Sequence, residues 1–254
     1  MKFAVIGCGN VAWHYSKMWM QAGHECLFGF SRNAEHFNSN MSDLGIGYLP
    51  YSNWSVKPDV VLVAVPDDQI IEVARSIDSN ITIVVPSGSF DMESLEIPNK
   101  IVIWGIYSFL HGRELDYRKI PFCVESSSEK SKEQLQKLMA PWQSQLYLTN
   151  SAQRTTAHLA AVMANNFTTA LYQIAFEILD KEQLPSELLI ATIQQLAEKL
   201  STEHPKNLQT GPAKRNDLNT INKHMNLLND EPNQHEVYRV LSNIILTKYG
   251  HSKL

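Results

Sequence analysis

A glycine-rich turn close to the start of the chain carries the clearest chemical signal in the sequence. Gly7, Gly9 and Ala12 stand at the spacing G-x-G-x-x-A, between a short apolar run and a segment with helical periodicity. The first glycine of such a turn permits a tight strand-to-helix connection, the second lets the backbone approach a pyrophosphate, and the small third residue lets the helix pack on the sheet. The pyrophosphate would lie at the helix N-terminus, so the turn predicts a dinucleotide site that includes Asn10 and Val11.

Ser31 and Arg32 follow the second predicted strand, where a dinucleotide-binding protein contacts the adenosine ribose. A site that prefers NAD places Asp or Glu there to accept hydrogen bonds from the ribose 2′-hydroxyl. A hydroxyl and a guanidinium instead suit the 2′-phosphate of NADP. The pair therefore predicts NADP(H) as the cofactor, preferred over NAD(H), with a solvated surface arginine as the alternative interpretation of Arg32.

The ends of two later predicted strands are further candidates for cofactor contact, because ligands bind outside the carboxyl ends of a parallel sheet. One strand ends at Val65-Pro66, and the next is followed by Ser87-Gly88. For Ser87-Gly88 a plain turn is an equally good interpretation. Asp67-Asp68 are interpreted as first-turn helix residues that complement the helix dipole, not as catalytic carboxylates.

Polar residues interrupt a long apolar stretch in the second half of the chain. His158, Asn165 and Thr169 share one face of a predicted helix, and Asn166 adjoins them. A lone histidine there would be a core residue, but two asparagines beside it make a site lining an equally good interpretation. His158 is the candidate general acid or base because an imidazole titrates near neutral pH. Asn165 or Asn166 would then hold the polar atom of a substrate.

A donor-rich turn, QTGPAKRND, precedes a later helix. Its simplest interpretation is a loop with Asp217 as helix N-cap. Gly211 lies in this turn, so a close approach of the backbone to a ligand is the alternative. In that case Thr210 and Arg215 would line the far wall of a substrate site, with Arg215 suited to an anionic group or, equally, to a structural salt bridge.

Composition excludes several classes of function. Residues 1–150 carry 12 Lys and Arg against 16 Asp and Glu, and residues 151–254 carry 10 against 10, so neither part predicts a nucleic-acid partner. The apolar run over 60–66 is far too short to cross a bilayer, which predicts no membrane partner. The chain runs straight into the glycine turn without the pattern of a signal peptide. Three cysteines without CxxC spacing predict neither disulfides nor a metal site, and favour the cytoplasm.

The elements that must position these residues form an α/β protein with a Rossmann-type, mostly parallel sheet, because apolar strand-like runs alternate with helical segments. A helical region without such runs follows, so we predict a cofactor-binding domain over 1–150 and an all-helical domain over 151–254. The stretch 153–179 is predicted to be one long buried helix. The predicted strands cover 2–6, 25–30, 59–65, 81–85, 101–106, 122–125 and 146–149. The other predicted helices cover about 11–22, 33–44, 67–77, 128–139, 186–200, 218–228 and 237–249.

Seven segments together resemble a known family: GCGNVA, AVPDD, SGS, IPFCVE, QRTTAHLAAVMANNFT, QTGPAKRND and TINKH. The chain resembles bacterial proteins with a Rossmann-like N-terminal domain and a C-terminal helical domain of unknown function, commonly described as NADP oxidoreductases of deazaflavin-dependent type. It is more distantly similar to pyrroline-5-carboxylate reductase, ketopantoate reductase and the 6-phosphogluconate and hydroxyisobutyrate dehydrogenases. The resemblance implies a helical domain like the 6-phosphogluconate dehydrogenase C-terminal domain, which would supply catalytic residues and the interface of a homodimer. It implies no substrate.

Two segments depart from the pattern of these relatives. Val85-Pro86 stand where members often carry His-Thr, and Tyr107 is followed by Ser-Phe-Leu-His where members tend to have Pro-Leu-Gln-Thr-Phe. Both loops should face the nicotinamide. The departures imply either an altered substrate pocket or a loss of catalysis with retained cofactor binding. His111 would replace a missing polar group or, more simply, be a surface histidine.

The sequence as a whole predicts an NADP(H)-dependent oxidoreductase that moves a hydride to or from a small C=O or C=N compound between its domains. The alternative is a non-catalytic NADP(H)-binding sensor or regulatory protein. Both hypotheses share the glycine turn, and they differ in whether His158 transfers a proton.

Overall fold

The computed structural model describes residues 1–50, 54 and 56–254, with the side chain of residue 144 left out. Seven strands form within the described residues, each close to its predicted position. They are β1 (Lys2–Ile6), β2 (Glu25–Phe30), β3 (Val60–Val63), β4 (Thr82–Val85), β5 (Lys100–Gly105), β6 (Phe122–Ser126) and β7 (Leu146–Leu148).

One sheet contains all seven strands in the order β2-β1-β3-β4-β5-β6-β7. Strands β1 to β5 are parallel, β6 is antiparallel to β5, and β7 is parallel to β6. The predicted Rossmann-type α/β fold is therefore confirmed. Since parallel strands end at the same edge, the turns after β1 to β5 all lie along one edge of the sheet.

Helices cover both faces of this sheet. Those that precede residue 166 are α1 (Asn10–Gln21), α2 (Ala34–Met41), α3 (Asp67–Arg75), α4 (Glu129–Leu138) and α5 (Ser151–Ala161). Side chains of β1 alternate between the faces: Phe3 and Val5 join the core on the α1 side, whereas Ala4 and Ile6 join the core on the α3 side. Burial on both faces explains why these strands have almost uninterrupted apolar sequences.

A buried tyrosine fixes α1 against the fifth strand. The Tyr15 hydroxyl donates to the Ile103 carbonyl at 2.7 Å and accepts from the Gly105 amide at 2.8 Å. Burial raises the pKa of this hydroxyl, so it stays protonated and keeps both hydrogen bonds. The middle of α1 and the end of β5 are thereby held in a fixed relation.

The chain divides into two compact units, Met1–Asn165 and Asn166–Leu254. The predicted domain boundary at residue 150 coincides with the start of α5, which is counted with the first unit. The second unit consists of α6 (Phe167–Lys181), α7 (Glu187–Leu200), α8 (Pro205–Leu208), α9 (Leu218–Leu227) and α10 (Pro232–Lys248). Ala213, Ile221 and Leu246 form a small core of their own in this unit. Among the described helices, none has the length and apolarity that crossing a membrane requires.

The predicted long helix is continuous but is not uniform. A π-helical segment, Val162–Asn166, separates α5 from α6. The prediction that this helix is buried is wrong for the single chain: Leu159 is 62% exposed, and Met163 and Phe167 are exposed by more than half. Apolar residues all around a helix indicate that the helix is buried in its functional state. In the single chain these side chains remain exposed.

Candidate dinucleotide site

A cavity of about 770 Å³ opens at the carboxyl ends of the strands in the first unit. It collects every residue that the sequence predicted to contact a cofactor, together with His158. The predicted residues that line it are Gly7, Gly9, Asn10, Val11, Ala12, Ser31, Arg32, Val65, Pro66, Ser87, Gly88 and His158. His36 and Trp104, which the sequence did not single out, also line it, as do Tyr107 and Phe109 of the loop that was expected to face the nicotinamide.

Glycine is favoured at the two positions of the first turn for different structural reasons. Gly7 has a φ of +108°, and a Cβ atom on it would collide with the carbonyl oxygen of Ala64. Its amide donates to the Phe30 carbonyl at 2.8 Å, which ties the turn to the end of β2. No atom lies within 4 Å of where a Cβ on Gly9 would be, so this glycine leaves open space beside the backbone. The pair gives a tight turn and an open approach to the start of α1.

The N-terminus of α1 has no side-chain cap. Gly9 occupies the cap position, and the first turn contains no acidic residue. By contrast, Asn33 caps α2 and Asn150 caps α5, each with its side chain. The first amide groups of a helix need an acceptor and carry partial positive charge. At α1 they line the cavity, so the donor set fits the pyrophosphate of a dinucleotide.

The end of the cavity beside β2 carries one cationic side chain. Arg32 is exposed and forms no salt bridge with any described residue. The Ser31 hydroxyl donates to the Asn33 carbonyl at 2.7 Å, which shapes the turn into α2. The guanidinium therefore remains available to a phosphate at the ribose position that the sequence predicted.

A carboxylate organises the loop after β4. Asp67 Oδ2 accepts from the Ser87 hydroxyl at 2.9 Å and from the Ser89 hydroxyl at 2.6 Å. Ser87 Oγ also accepts from the Phe90 amide at 3.1 Å. The sequence placed Asp67 correctly in the first turn of α3 but missed this role. The sequence could have indicated this role only through an acidic turn after β3 and a serine-rich turn after the adjacent strand.

His158 lies against the glycine of that loop. A Cβ on Gly88 would come 2.7 Å from His158 Cδ2 and 2.7 Å from Trp104 Cε2, so only glycine fits between the two rings. The imidazole and the Trp104 indole meet at 61°, with centroids 5.4 Å apart. Neither ring nitrogen of His158 has a hydrogen-bond partner among the described residues. The imidazole is therefore held by packing alone, with its polar atoms free to meet a ligand.

The loop after β5, which differs from the pattern of the resembling proteins, is held by three side chains. Asn10 Nδ2 donates to the Phe109 carbonyl at 3.1 Å, and the Leu110 carbonyl lies 2.8 Å from Nε2 of the buried His14. Asn165 Nδ2 donates to the Ser108 hydroxyl at 2.9 Å. Asn165 thus contacts the loop that lines the cavity and is not itself among the lining residues.

His111 lies at the surface end of the same loop. Its Nε2 contacts the Asn40 carbonyl at 2.8 Å, and its ring packs on Trp13 with centroids 5.0 Å apart. It does not belong to the cavity lining, so the surface interpretation of this histidine fits its position.

A buried arginine, which sequence reasoning missed, joins α5 to the sheet. Arg154 is completely buried and donates to the Glu125 carboxylate on β6 and to the Phe90 carbonyl in the loop after β4. The Ser151 hydroxyl donates to the same carboxylate at 3.0 Å. These four residues, called the Arg154 cluster below, fix α5 one turn before His158. An arginine in an apolar helix was the available signal.

The remaining predicted residues lie in the second unit. Asn166 ends the π-helical segment, and Thr210 and Arg215 are exposed in the turn before α9. The Arg215 amide donates to the Pro212 carbonyl at 3.1 Å. Asp217 is the N-cap of α9, since its Oδ1 accepts from the Thr220 amide at 3.0 Å, as the simplest interpretation predicted. The Thr220 hydroxyl and amide hold the pKa of this carboxyl below its usual value.

Two family models match the chain. Residues 2–86 match the family described as NADP oxidoreductase, coenzyme F420-dependent, and residues 120–245 match a domain of unknown function, DUF2520. This combination confirms the resemblance predicted from the seven sequence segments. No curated protein sequence matches the chain.

Solved structures share the whole architecture. The putative NADP oxidoreductase BF3122 from Bacteroides fragilis is 29% identical with a TM-score of 0.87, and the match covers 97% of this chain and 98% of that chain. Protein TM1727 from Thermotoga maritima is 22% identical, with a TM-score of 0.73 and the same coverage. A pyrroline carboxylate reductase of Plasmodium falciparum with NADP bound is 12% identical with a TM-score of 0.61, again over 97% and 98%. The last two likenesses concern the fold alone.

Proposed function

We propose that the protein is an NADP(H)-dependent oxidoreductase acting on a small C=O or C=N compound. The observation that carries the proposal is the uncapped, glycine-initiated N-terminus of α1, which lines the same cavity as Arg32 and His158. The cavity offers hydrogen-bond donors for a pyrophosphate, a cation at the predicted ribose position and an imidazole beside the glycine loop. These groups match the parts of a nicotinamide dinucleotide site. The bound NADPH would supply the hydride.

The chain's own residues would bind and orient. The first-turn amides of α1 would hold the pyrophosphate, and Arg32 with Ser31 would hold the 2′-phosphate. Ser87-Gly88, fixed by Asp67, would pack along the nicotinamide. Trp104 and Tyr107 line the same cavity and would exclude water from the reacting atoms.

Cofactor binding is tested by thermal shift with NADPH and NADH on the intact protein. At about 100 times its dissociation constant, NADPH should add about 2.7 kcal/mol of stability. The matched variant Arg32→Ala should weaken NADPH binding about tenfold and leave NADH binding nearly unchanged, because only NADPH offers a phosphate to the guanidinium. Absence of a shift with either nucleotide would overturn the proposal, and a larger shift with NADH would overturn the role of Arg32.

His158 is proposed as the general acid or base. Its place between Gly88 and Trp104, with unpaired ring nitrogens, supports this role. Asn165 or Asn166 would hold the substrate's polar atom, and Thr210 with Arg215 would line the far wall. A panel of small carbonyl and imine compounds, followed by loss of NADPH absorbance, must first identify a substrate. His158→Ala should then abolish turnover and leave NADPH affinity almost unchanged; retained turnover would refute the role.

A non-catalytic NADP(H)-binding sensor is the second candidate. Val85-Pro86 favour it, because the resembling proteins often carry His-Thr there, whereas Val85 is buried in the sheet and neither side chain can form a hydrogen bond. The sensor hypothesis predicts NADPH binding without turnover of any compound in the panel. A single compound that is reduced at the expense of NADPH decides for the enzyme.

We further propose a homodimer formed through the C-terminal helices. Support comes from exposed apolar side chains on the second unit, among them Leu188, which is 60% exposed, and Val240 and Ile244 of α10. Light scattering after gel filtration should give twice the mass of one chain. Leu188→Asp should shift the protein toward monomers, while the exposed Glu198→Lys on the same helix should not. The cytoplasmic location stays a prediction.

A further inference from the structure

A histidine on α2 lines the cavity at the same end as Ser31 and Arg32. His36 lies in the first turn of the helix that follows β2, and the sequence analysis assigned it no role. In a dinucleotide fold this turn lies next to the adenosine ribose, where NADP and NAD differ. The ring can contribute to cofactor preference there only if it presents a hydrogen-bond donor to the 2′-phosphate.

Hydrogen bonds indicate which ring nitrogen of His36 can donate. Asn40 Nδ2 donates to the Cys8 carbonyl at 2.9 Å, and since a carbonyl can only accept, the Asn40 atom there must be the amide nitrogen. The same nitrogen lies 3.2 Å from His36 Nε2. Nε2 therefore accepts, and the ring proton of the neutral imidazole resides on Nδ1. Within the part of the chain that the structure describes, Nδ1 has no partner.

The backbone around His36 does not serve as the anion site. The His36 amide donates to Asn33 Oδ1 at 2.9 Å, so the first turn of α2 is already capped. Glu35, the acidic neighbour, is not among the residues that line the cavity. An anion at this end would therefore not be held by the His36 amide, whereas the Arg32 guanidinium, the Ser31 hydroxyl and the imidazole are side chains of the cavity lining.

We propose that His36 is a further specificity-determining residue, which donates Nδ1–H to the 2′-phosphate of NADP(H) beside Arg32. Asn40 is its positioning residue, because its amide holds Nε2 and at the same time binds the glycine turn through Cys8. The inference rests on the proposed function, since it names a third contact for the cofactor preference argued there. It adds a neutral donor to a site that the sequence assigned to a hydroxyl and a guanidinium.

The test uses the adenosine halves of the two cofactors as probes, 2′,5′-ADP and 5′-AMP, in calorimetric titrations of the intact protein. His36→Phe keeps the ring size and removes the donor, so it should weaken 2′,5′-ADP binding about tenfold. Its 5′-AMP affinity should stay within about twofold of the unaltered protein. His36→Gln supplies an amide donor and should recover part of the loss. His36 is exposed, so the melting temperature of each variant should be unchanged.

His111→Phe is the matched control, because His111 also contacts α2, through the Asn40 carbonyl, but does not line the cavity. It should leave both affinities unaltered. If the unaltered protein binds 2′,5′-ADP no more tightly than 5′-AMP, both the proposed NADP preference and the proposed role of His36 are refuted. If the unaltered protein discriminates and His36→Phe discriminates equally, only the role of His36 is overturned.

Discussion

Removing the guanidinium of the Arg154 cluster should destabilise the first unit strongly. Arg154→Met keeps an unbranched apolar stem in a site where the arginine is completely buried, and leaves the Glu125 carboxylate, only 13% exposed, without its cation. It also leaves the Phe90 carbonyl without its donor. Breaking a buried ion pair by removing one partner costs about 3–5 kcal/mol. With about 2–4 °C per kcal/mol in a domain of this size, the melting temperature should fall by about 6–20 °C.

The assay is urea and thermal denaturation followed by circular dichroism, with two companion variants. Glu125→Gln keeps an acceptor but leaves the completely buried guanidinium without a counter-charge, so it should cost about as much as Arg154→Met. The double variant Arg154→Met with Glu125→Leu removes both charges and should be more stable than Arg154→Met alone, because no uncompensated charge remains buried. A loss below about 1 kcal/mol for Arg154→Met, or equal losses for the single and double variants, would refute the reasoning.

Three other predictions concern the glycine turn, the loop after β4 and the response to pH. Gly7→Ala should abolish NADPH binding in the thermal-shift assay, because at a φ of +108° its Cβ meets backbone that cannot move aside; normal binding would contradict this. Gly88→Ala should cost about 1–3 kcal/mol and change the tryptophan emission spectrum, since its methyl group must displace His158. Burial lowers the pKa of His14 in the folded protein, so the unfolded chain takes up the proton first and stability should fall as pH decreases below about 6.5. His24 has a pKa lowered by burial too, so His14→Gln should reduce but not remove this slope in denaturation curves at pH 7.5 to 5.5, values spanning roughly that transition.

The strands of the first unit could be predicted well because strands that are buried on both faces have almost entirely apolar sequences. The stretch that contains β3 and the one that contains β4 are almost entirely apolar, and turns bound them closely. The glycine turn could be predicted equally well, since a positive φ and a close backbone approach restrict these positions to glycine. One helix boundary was wrong: α10 begins at Pro232, five residues before the predicted start, with proline in the first turn as the signal.

Much of the candidate site depends on contacts that local patterns do not encode. Asp67 looks like any acidic first-turn residue, and its function comes from two serines twenty or more positions away. The partner of Arg154 on β6 lies 29 positions away. Pattern reasoning finds surfaces and turn types, whereas such pairings depend on which strands become neighbours in the sheet.

No side chain among the described residues caps α1, so its opening amides are left for solvent or a ligand. Helices α2, α4 and α5 of the first unit each satisfy an opening amide with an asparagine or serine of their own, whereas α3, which begins after Pro66, has no such cap. Under the proposed function, a bound phosphate would take the place of that residue at α1 and accept hydrogen bonds from the opening amides. A side chain that capped the helix would strengthen the ligand-free protein and compete with the ligand for the same donors. The turn would therefore lower stability in the free state and raise affinity, and ligand binding should order the beginning of α1 more than the starts of α2, α4 and α5, which carry their own caps.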